Sequence, residues 1–284
     1  MADTEDAATA TTSGRSVPDG YKVLTEGKGS ILQKGNDVFY NPAQAINRDI
    51  SIAVLRYFVK QRQLEEQNGT AAKSRTRVKG AVMANTVIDA DKVDGIKILE
   101  GLAASGLRSI RYALEVEGTG RVDANDLDSD AVEAMKRNVQ FNGAEAEQRM
   151  RPLQGDARVV MLQSPLAYDA VDLDPLWIPN TTARWCSTSS GRGILLAAIE
   201  GHANRYKRHI VPMMSLSVDF YVRVFVRIYT SPAAVKDAGS KLMYVYQSQG
   251  CDSFYTQKVG RKIQKNNGVK YMPGVGPASA PAVP

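Results

Sequence analysis

The sequence predicts an α/β protein built on a parallel, doubly wound sheet, with a smaller α+β part after it. Three observations carry that expectation. Short apolar strand patterns alternate with helical ones between residues 96 and 174. A turn of small residues, Gly101-Leu102-Ala103-Ala104-Ser105-Gly106, joins the first of these strands to a helix. The second half then changes to long two-residue alternation.

Residues 21–41 suggest short strands around Lys28-Gly29-Ser30, with Gly35-Asn36-Asp37 as a hairpin signal. Residues 42–67 have helical period, with Ile46, Ile50, Ile52, Ala53, Leu55, Phe58 and Val59 on an apolar side. A polar, basic loop follows at 68–80. Residues 96–99 are the first strand of the sheet and 109–115 a helix. Residues 122–125 are the second strand, after which Asp128 or Ser129 caps a helix running through Val139. A third strand leads through Leu153 to Gly155-Asp156-Ala157 and a short helix, and 168–173 form the fourth strand.

Regularity stops at Pro175. Residues 176–193 show no clear period, and a helix is expected at 194–206. Residues 218–229 alternate strictly: Phe220, Val222, Val224, Val226 and Ile228 against Tyr221, Arg223, Phe225, Arg227 and Tyr229. That pattern predicts an antiparallel strand with one core face. Residues 241–246 and 253–257, with Gln249-Gly250 between them, suggest a further hairpin. The expected organisation is a disordered tail at 1–20, a larger domain at 21–193, a smaller one at 194–272 and a disordered tail at 273–284.

Composition narrows the classes. No apolar run in the 284 residues approaches the roughly 18 needed to cross a bilayer, and 1–18 has neither a signal core nor an Arg-rich amphipathic pattern. Two cysteines, Cys186 and Cys251, suit a reducing compartment, and with two histidines they make an all-protein zinc site improbable. An intracellular address is expected. The formal net charge of +6 favours a polyanionic partner such as RNA, with basic residues crowding the second half.

The chemistry sits at strand ends. Glycines in the 101–106 turn let a backbone approach a nucleoside, and the helix beyond offers free N–H groups. Asp126, some 20 residues past the turn, suits two ribose hydroxyls, and Asp156 can accept from an adenine amine. These features fit either NAD or S-adenosylmethionine. Asp172-Leu173-Asp174-Pro175 favours the second, because a carboxylate beside a rigid turn can orient an exocyclic amine and take its proton. Hydride transfer needs no such group, and the full G-x-G-x-x-G pattern is absent.

With these residues in place, the chain resembles the tRNA (guanine-N2-)-dimethyltransferase family. The resemblance runs from residue 21 to about 174 and again from 194 to about 276. It is carried by Val38-Phe39-Tyr40-Asn41-Pro42 with Asn47-Arg48-Asp49, the 101–111 turn, Asn125-Asp126, Gly155-Asp156-Ala157, 172–175, and 202–230. It implies a Rossmann-like, class I S-adenosylmethionine-dependent methyltransferase sheet and dimethylation of guanine 26 of tRNA. It also implies that Arg48, Arg108, Asp126, Asp156 and Ala157 contact the cofactor, that Asp174 is the catalytic carboxylate, and that Phe39 stacks on a flipped guanine. A monomer located in the nucleus is expected.

The chain also departs from the family pattern. Leu176 and Trp177 stand where the family has an aromatic and a Gly, and a long segment that supplies further strands of the sheet is missing. The expected sheet is therefore incomplete, with apolar faces and backbone left uncovered. Ser248 replaces one cysteine of a zinc-binding pair, so no metal is expected. The alternative reading is a catalytically defective RNA-binding remnant, with Tyr221, Phe225 and Tyr229 interleaved with Arg223 and Arg227 as the binding face.

Overall fold

The computed structural model describes residues 16–35, 40–68, 94–164, 167–174, 189–218, 221–247, 250, 254–265 and 268–275. The chain divides into two compact units, Met1–Pro175 and Leu176–Pro284. No helix among the described residues is long and apolar enough to cross a membrane.

The first unit opens with a hairpin, β1 (Lys22–Glu26) and β2 (Gly29–Gln33), paired antiparallel with Glu26 opposite Gly29. The turn is therefore Gly27-Lys28, one residue earlier than the sequence suggests. Gly27 takes a φ of +58°, a left-handed conformation that favours glycine, while Gly29 and Ser30 already belong to β2. The second hairpin signal, at 35–37, falls largely outside the described residues.

Asn41 caps a 3-10 turn at Pro42–Gln44, its Oδ1 accepting from Ala43 N at 2.9 Å, and α1 (Ala45–Gln67) follows. Its inner side is less apolar than the spacing implies. Ile52 and Val59 are buried, but so are Asn47, Arg48 and Ser51, while Ile46 is exposed. The polar members are turned inward by hydrogen bonds, such as Ser51 Oγ donating to Asn47 O at 2.8 Å.

The sheet comprises β3 (Ile96–Glu100), β4 (Thr119–Asp126), β5 (Met150–Gln154) and β6 (Ala170–Asp172). Its order is β5-β4-β3-β6, all parallel. Between the strands lie α2 (Leu107–Glu115), α3 (Ser129–Asn142), α4 (Ala144–Arg149) and α5 (Ala157–Gln163). Asp128 caps α3 by accepting from Asp130 N at 3.0 Å.

The chain steps outward from β3 to β4 to β5 and then returns to the other side of β3. Right-handed crossovers consequently place α2 and α3 on one face and the β5–β6 connection, with α5, on the other. The reversal lies between β3 and β6, which is where open α/β sheets bind ligands. Ile98 and Val122 meet Ile52, Val59, Tyr112 and Val116 in one buried cluster. Ile31, Leu107, Ile110, Met135 and Met150 form another. On the outer side, Val171 and Leu173 are about half exposed, and α5 buries no residue while exposing Val159 and Leu162. Among the described residues β6 is an edge strand.

The second unit begins with α6 (Ser189–Asn204), which starts earlier and ends earlier than the sequence suggests. A long hairpin follows, β7 (Arg208–Val218) with β8 (Tyr221–Thr230), with a register shift between Pro212 and Met214. The alternating segment is thus two elements, its first residue closing β7. Its side chains do not sort into a core and a solvent face: Val222 to Arg227 are all half-buried and Ile228 is exposed. Glu200, buried on α6, ties the helix to β7 by accepting from Ile210 N at 2.7 Å, and it also accepts from Lys241 Nζ, further along the chain, at 3.1 Å. After α7 (Pro232–Val235) and α8 (Ala238–Lys241) come two antiparallel hairpins. The first pairs β9 (Met243–Gln247) with β10 (Phe254–Lys258), as expected. The second pairs β11 (Gly260–Lys265) with β12 (Gly268–Pro273), where the sequence suggests none.

Candidate active site

The ladder hydrogen bonds of the sheet continue past the strands into the loops that form the site. Gly101 N donates to Asp172 O at 2.9 Å, Ala103 N to Asn125 O at 2.9 Å and Gly155 N to Asp126 O at 2.9 Å. The turn after β3 is thereby held against both neighbours. Gly106 ends it at φ +74°, and a side chain there would meet Met135 Cγ at 2.8 Å. Gly101 is equally enclosed: a Cβ would lie 2.6 Å from Leu173 and 3.3 Å from the Ala157 methyl. Ala104 adopts a φ of +47°, uncommon for a residue with a Cβ.

Asp126 explains how Ala104 is held. Its Oδ2 accepts from Ala104 N at 2.8 Å, and its Oδ1 from Asp128 N at 3.1 Å. Each carboxylate oxygen keeps a further lone pair for a hydroxyl. Asp156 caps α5 through Arg158 N at 2.9 Å and also pairs with the Arg158 side chain. Those contacts with Arg158 hold its carboxyl down at about 2. Ala157 is the first residue of α5 and faces Gly101.

At the other side of β3, Arg108 lies among three carboxylates. Its Nη1 donates to Asp172 at 3.1 Å, its Nη2 to Asp174, and its Nε is 3.6 Å from Glu100. Tyr112 OH donates to Asp172 as well, and Ser109 Oγ to Glu100. Burial pushes the Glu100 carboxyl up to about 7. Arg108 and Ser109 pull against that rise, and Asp172 and Asp174 add to it. Burial opposes the charge on Arg108, but its acidic neighbours, Asp172 first, raise the guanidinium above its ordinary range. Asp174 is the most exposed member of this group, at 41%.

The structure therefore brings Asp174 against Arg108, Asp126 against the turn, and Ala157 against Gly101. Arg48 is placed differently. Its Nε and Nη2 are taken by Glu26 at 2.7 and 2.5 Å, and Nη2 also reaches Asn41 O at 3.1 Å. Among the described residues no partner takes Nη1, the edge that remains for a carboxylate. Glu26 in turn binds Arg111 at 2.5 Å, and although burial opposes it, the two arginines hold its carboxyl below the usual range. Phe39 lies outside the described residues, as do Cys186, Cys251 and 175–188. Glu100, Ser109, Tyr112 and Asn125 are members of the site that residue types alone did not single out. For Glu100 the signal was present, as a carboxylate closing the apolar run Ile98-Leu99.

Strand order, turn and acidic strand ends define the first unit as a Rossmann-like α/β domain of the nucleoside-cofactor-binding kind. The family model for N2,N2-dimethylguanosine tRNA methyltransferase matches residues 20–189 and 178–276, and the chain belongs to that family. It is 39% identical to tRNA (guanine(26)-N(2))-dimethyltransferase 2 of Arabidopsis thaliana, over 90% of this chain and 57% of that protein. It is 33% identical to the Mus musculus tRNA (guanine(26)-N(2))-dimethyltransferase, over 93% of this chain and 50% of that one. The chain thus spans about half the length of the curated relatives it matches. Among solved structures it is similar to Trm1 from Pyrococcus horikoshii in complex with S-adenosyl-L-methionine. The TM-score is 0.63 at 23% identity, covering 89% of this chain and 72% of that one. The Arabidopsis alignment extends over 340 positions, more than the 284 residues of this chain, so that relative carries residues this chain lacks. The two family matches overlap at 178–189, where the sequence leaves the family pattern.

Proposed function

We propose that this chain transfers methyl groups from S-adenosylmethionine to the exocyclic N2 amine of guanine 26 in tRNA, forming N2,N2-dimethylguanosine. The observation that carries this reading is the contact of Asp174 with Arg108 at the strand ends beside the glycine turn, in a chain of this family. The relatives are named for that dimethylation, and the Pyrococcus structure contains S-adenosyl-L-methionine.

The donor set fits such a cofactor. Asp126 has lone pairs for the ribose hydroxyls, Asp156 and the Ala157 backbone suit an adenine edge, and Arg48, with Nη1 open, suits the methionine carboxylate, whereas Nη1 and Nη2 of Arg108 are taken up by Asp172 and Asp174. When bound, S-adenosylmethionine supplies an electrophilic methyl group. Asp174 accepts a hydrogen bond from the guanine amine, aims its lone pair and takes the proton released as the amine is methylated. Arg108 fixes the direction of that carboxylate. Phe39 stacks on a guanine swung out of its helix, since a paired amine is out of reach. The partner is tRNA, the active species is a monomer, and the working location is inside the cell, in the nucleus. One relative is named as a mitochondrial enzyme, so compartment is assigned by localising the tagged protein.

The test is methyl transfer to tRNA lacking the modification, with the wild type and Asp174→Ala. Asp174→Ala should lose roughly 10²-fold or more, as expected for a positioned proton acceptor. Equal rates would remove Asp174 from the chemistry. An inactive wild type that still binds tRNA in a salt-sensitive manner would instead identify the binding remnant.

A further inference from the structure

The side chain of Asn125 lies at the centre of the cofactor edge, yet none of the proposed contacts uses it. It stands on β4, between β3 and β5, one residue before Asp126. It is fully buried. Its amide nitrogen donates to Gly101 O at 3.0 Å on one side and to Gly155 O at 2.9 Å on the other. One side chain therefore ties together the turn after β3 and the turn after β5, which carry Gly101 and Asp156-Ala157. Its Oδ1 is buried and has no hydrogen-bond partner among the described residues. A flipped amide would set Oδ1 against two carbonyl oxygens, so the orientation follows from the pair of acceptors. An unsatisfied buried acceptor is a cost, and the fold bears it to keep both donors on the two turns.

We infer that Asn125 is a positioning residue: it sets the gap between the Gly101 and Gly155 turns, and through that gap the affinity for the nucleoside cofactor. Backbone ladders cannot do this alone, because they end at Ala103 and Gly155, where parallel strands in a twisted sheet begin to diverge. Only a side chain on the middle strand reaches both outer turns. It must donate twice, which among short side chains leaves Asn. The inference rests on the proposed function for the identity of the cofactor, but the strap itself does not depend on it.

The test uses the full chain and S-adenosylhomocysteine as the probe. Asn125→Ala removes the strap, and Asn125→Asp keeps the volume while replacing the two-donor amide. Asn142→Ala is the control. Asn142 also makes a double contact, half-buried, with Ser30 N at 2.8 Å and Ser30 O at 2.6 Å, but at the β2 side of α3. Both Asn125 variants should weaken binding of the probe by about tenfold or more, with tRNA affinity unchanged, while Asn142→Ala loses thermal stability but keeps probe affinity. Hydrogen exchange should quicken at 101–104 and 155–158 in the Asn125 variants alone. Unchanged probe affinity in both Asn125 variants would overturn the inference. If the wild type itself fails to bind the probe, the proposed function falls, and exchange then decides the strap: faster exchange at both turns supports it, and unaltered exchange refutes it.

Discussion

Arg108 and Asp174 are hydrogen-bonded to each other, although the family resemblance assigns one to the cofactor and the other to the substrate amine. Asp174 lies just beyond β6 and Arg108 in the first turn of α2, so the contact bridges the reversal point of the sheet. Arg108 also holds Asp172 at 3.1 Å, and Glu100 lies 3.6 Å from its Nε. The direction of the Asp174 carboxylate is therefore set by a buried guanidinium that is itself aimed from two other positions.

Arg108→Lys keeps a charge but replaces a planar fork with a single ammonium, which cannot serve Asp172 and Asp174 in the same geometry. Methyl transfer should fall by about 10²-fold, the scale of a misplacement near 1 Å. Arg108→Met should cost more in stability, about 3–5 kcal/mol, because Glu100 and Asp172 lose their buried counter-charge. Rates and urea midpoints of the two variants separate the effects. A fully active Arg108→Lys would show that Asp174 needs no such aiming.

Glu100 gives the stability a pH dependence of defined sign. Its folded carboxyl titrates at about 7 against an ordinary value of 4.5, so the folded state holds the proton more tightly. Its contribution is complete below pH 4.5 and is lost as pH rises to about 7. Glu100→Gln stays neutral throughout and still accepts from Ser109. Across that window the variant should gain on the wild type by on the order of 3 kcal/mol, measured by urea denaturation at each pH. Parallel curves would place the Glu100 titration elsewhere.

Much of the first unit was legible in the sequence because its signals are local. Strand ends carry turn glycines, and Asp128 announces the start of α3 by its cap. Asp126, Asp156 and Asp174 stand out as carboxylates at or just past strand ends, although Asp156 also serves there as the cap of α5 and Asp126 as a tie to the turn. Glu100 and Asn125 were less visible, since their roles depend on neighbours distant in sequence: Asn125 acts on Gly101 and Gly155 together. Arg48 illustrates a second limit, because nothing near it in the sequence shows that Glu26 takes two of its three nitrogens. In the second unit, alternation along 218–229 was a sound sign of a strand but not of a core face. Few side chains are buried there, and Ile210 and Glu200 are the buried ones among the described residues of that unit.

Gly106→Ala places a methyl group in a left-handed residue and against Met135. The conformation alone costs about 1–2 kcal/mol, and crowding of a packed core adds about 1–3 kcal/mol. A Cβ there would lie 2.8 Å from Met135 Cγ and 3.0 Å from Met150 Cε, both side chains that can move. The sum should therefore fall near the lower end, about 2–3 kcal/mol, measured as a shift in denaturation midpoint. Its effect on cofactor affinity should be smaller than that of Asn125→Ala, because the turn remains tied at Gly101.

Ala104→Gly should act in the opposite direction. Ala104 holds a φ of +47°, and the conformation is pinned by Asp126 Oδ2 on its N–H at 2.8 Å. Removing the Cβ relieves the strain, while the freer unfolded chain takes part of the gain back, leaving about 0.5–1 kcal/mol of added stability. Asp126→Ala removes the pin and also the acceptor proposed for the ribose hydroxyls. The two substitutions touch one hydrogen bond, so they should couple. In the double variant, Ala104→Gly should recover part of the stability lost with Asp126, since the turn no longer needs to be forced. It should recover none of the cofactor affinity, because no residue replaces the carboxylate. Full recovery of S-adenosylhomocysteine binding in the double variant would mean that Asp126 serves the turn and not the ligand.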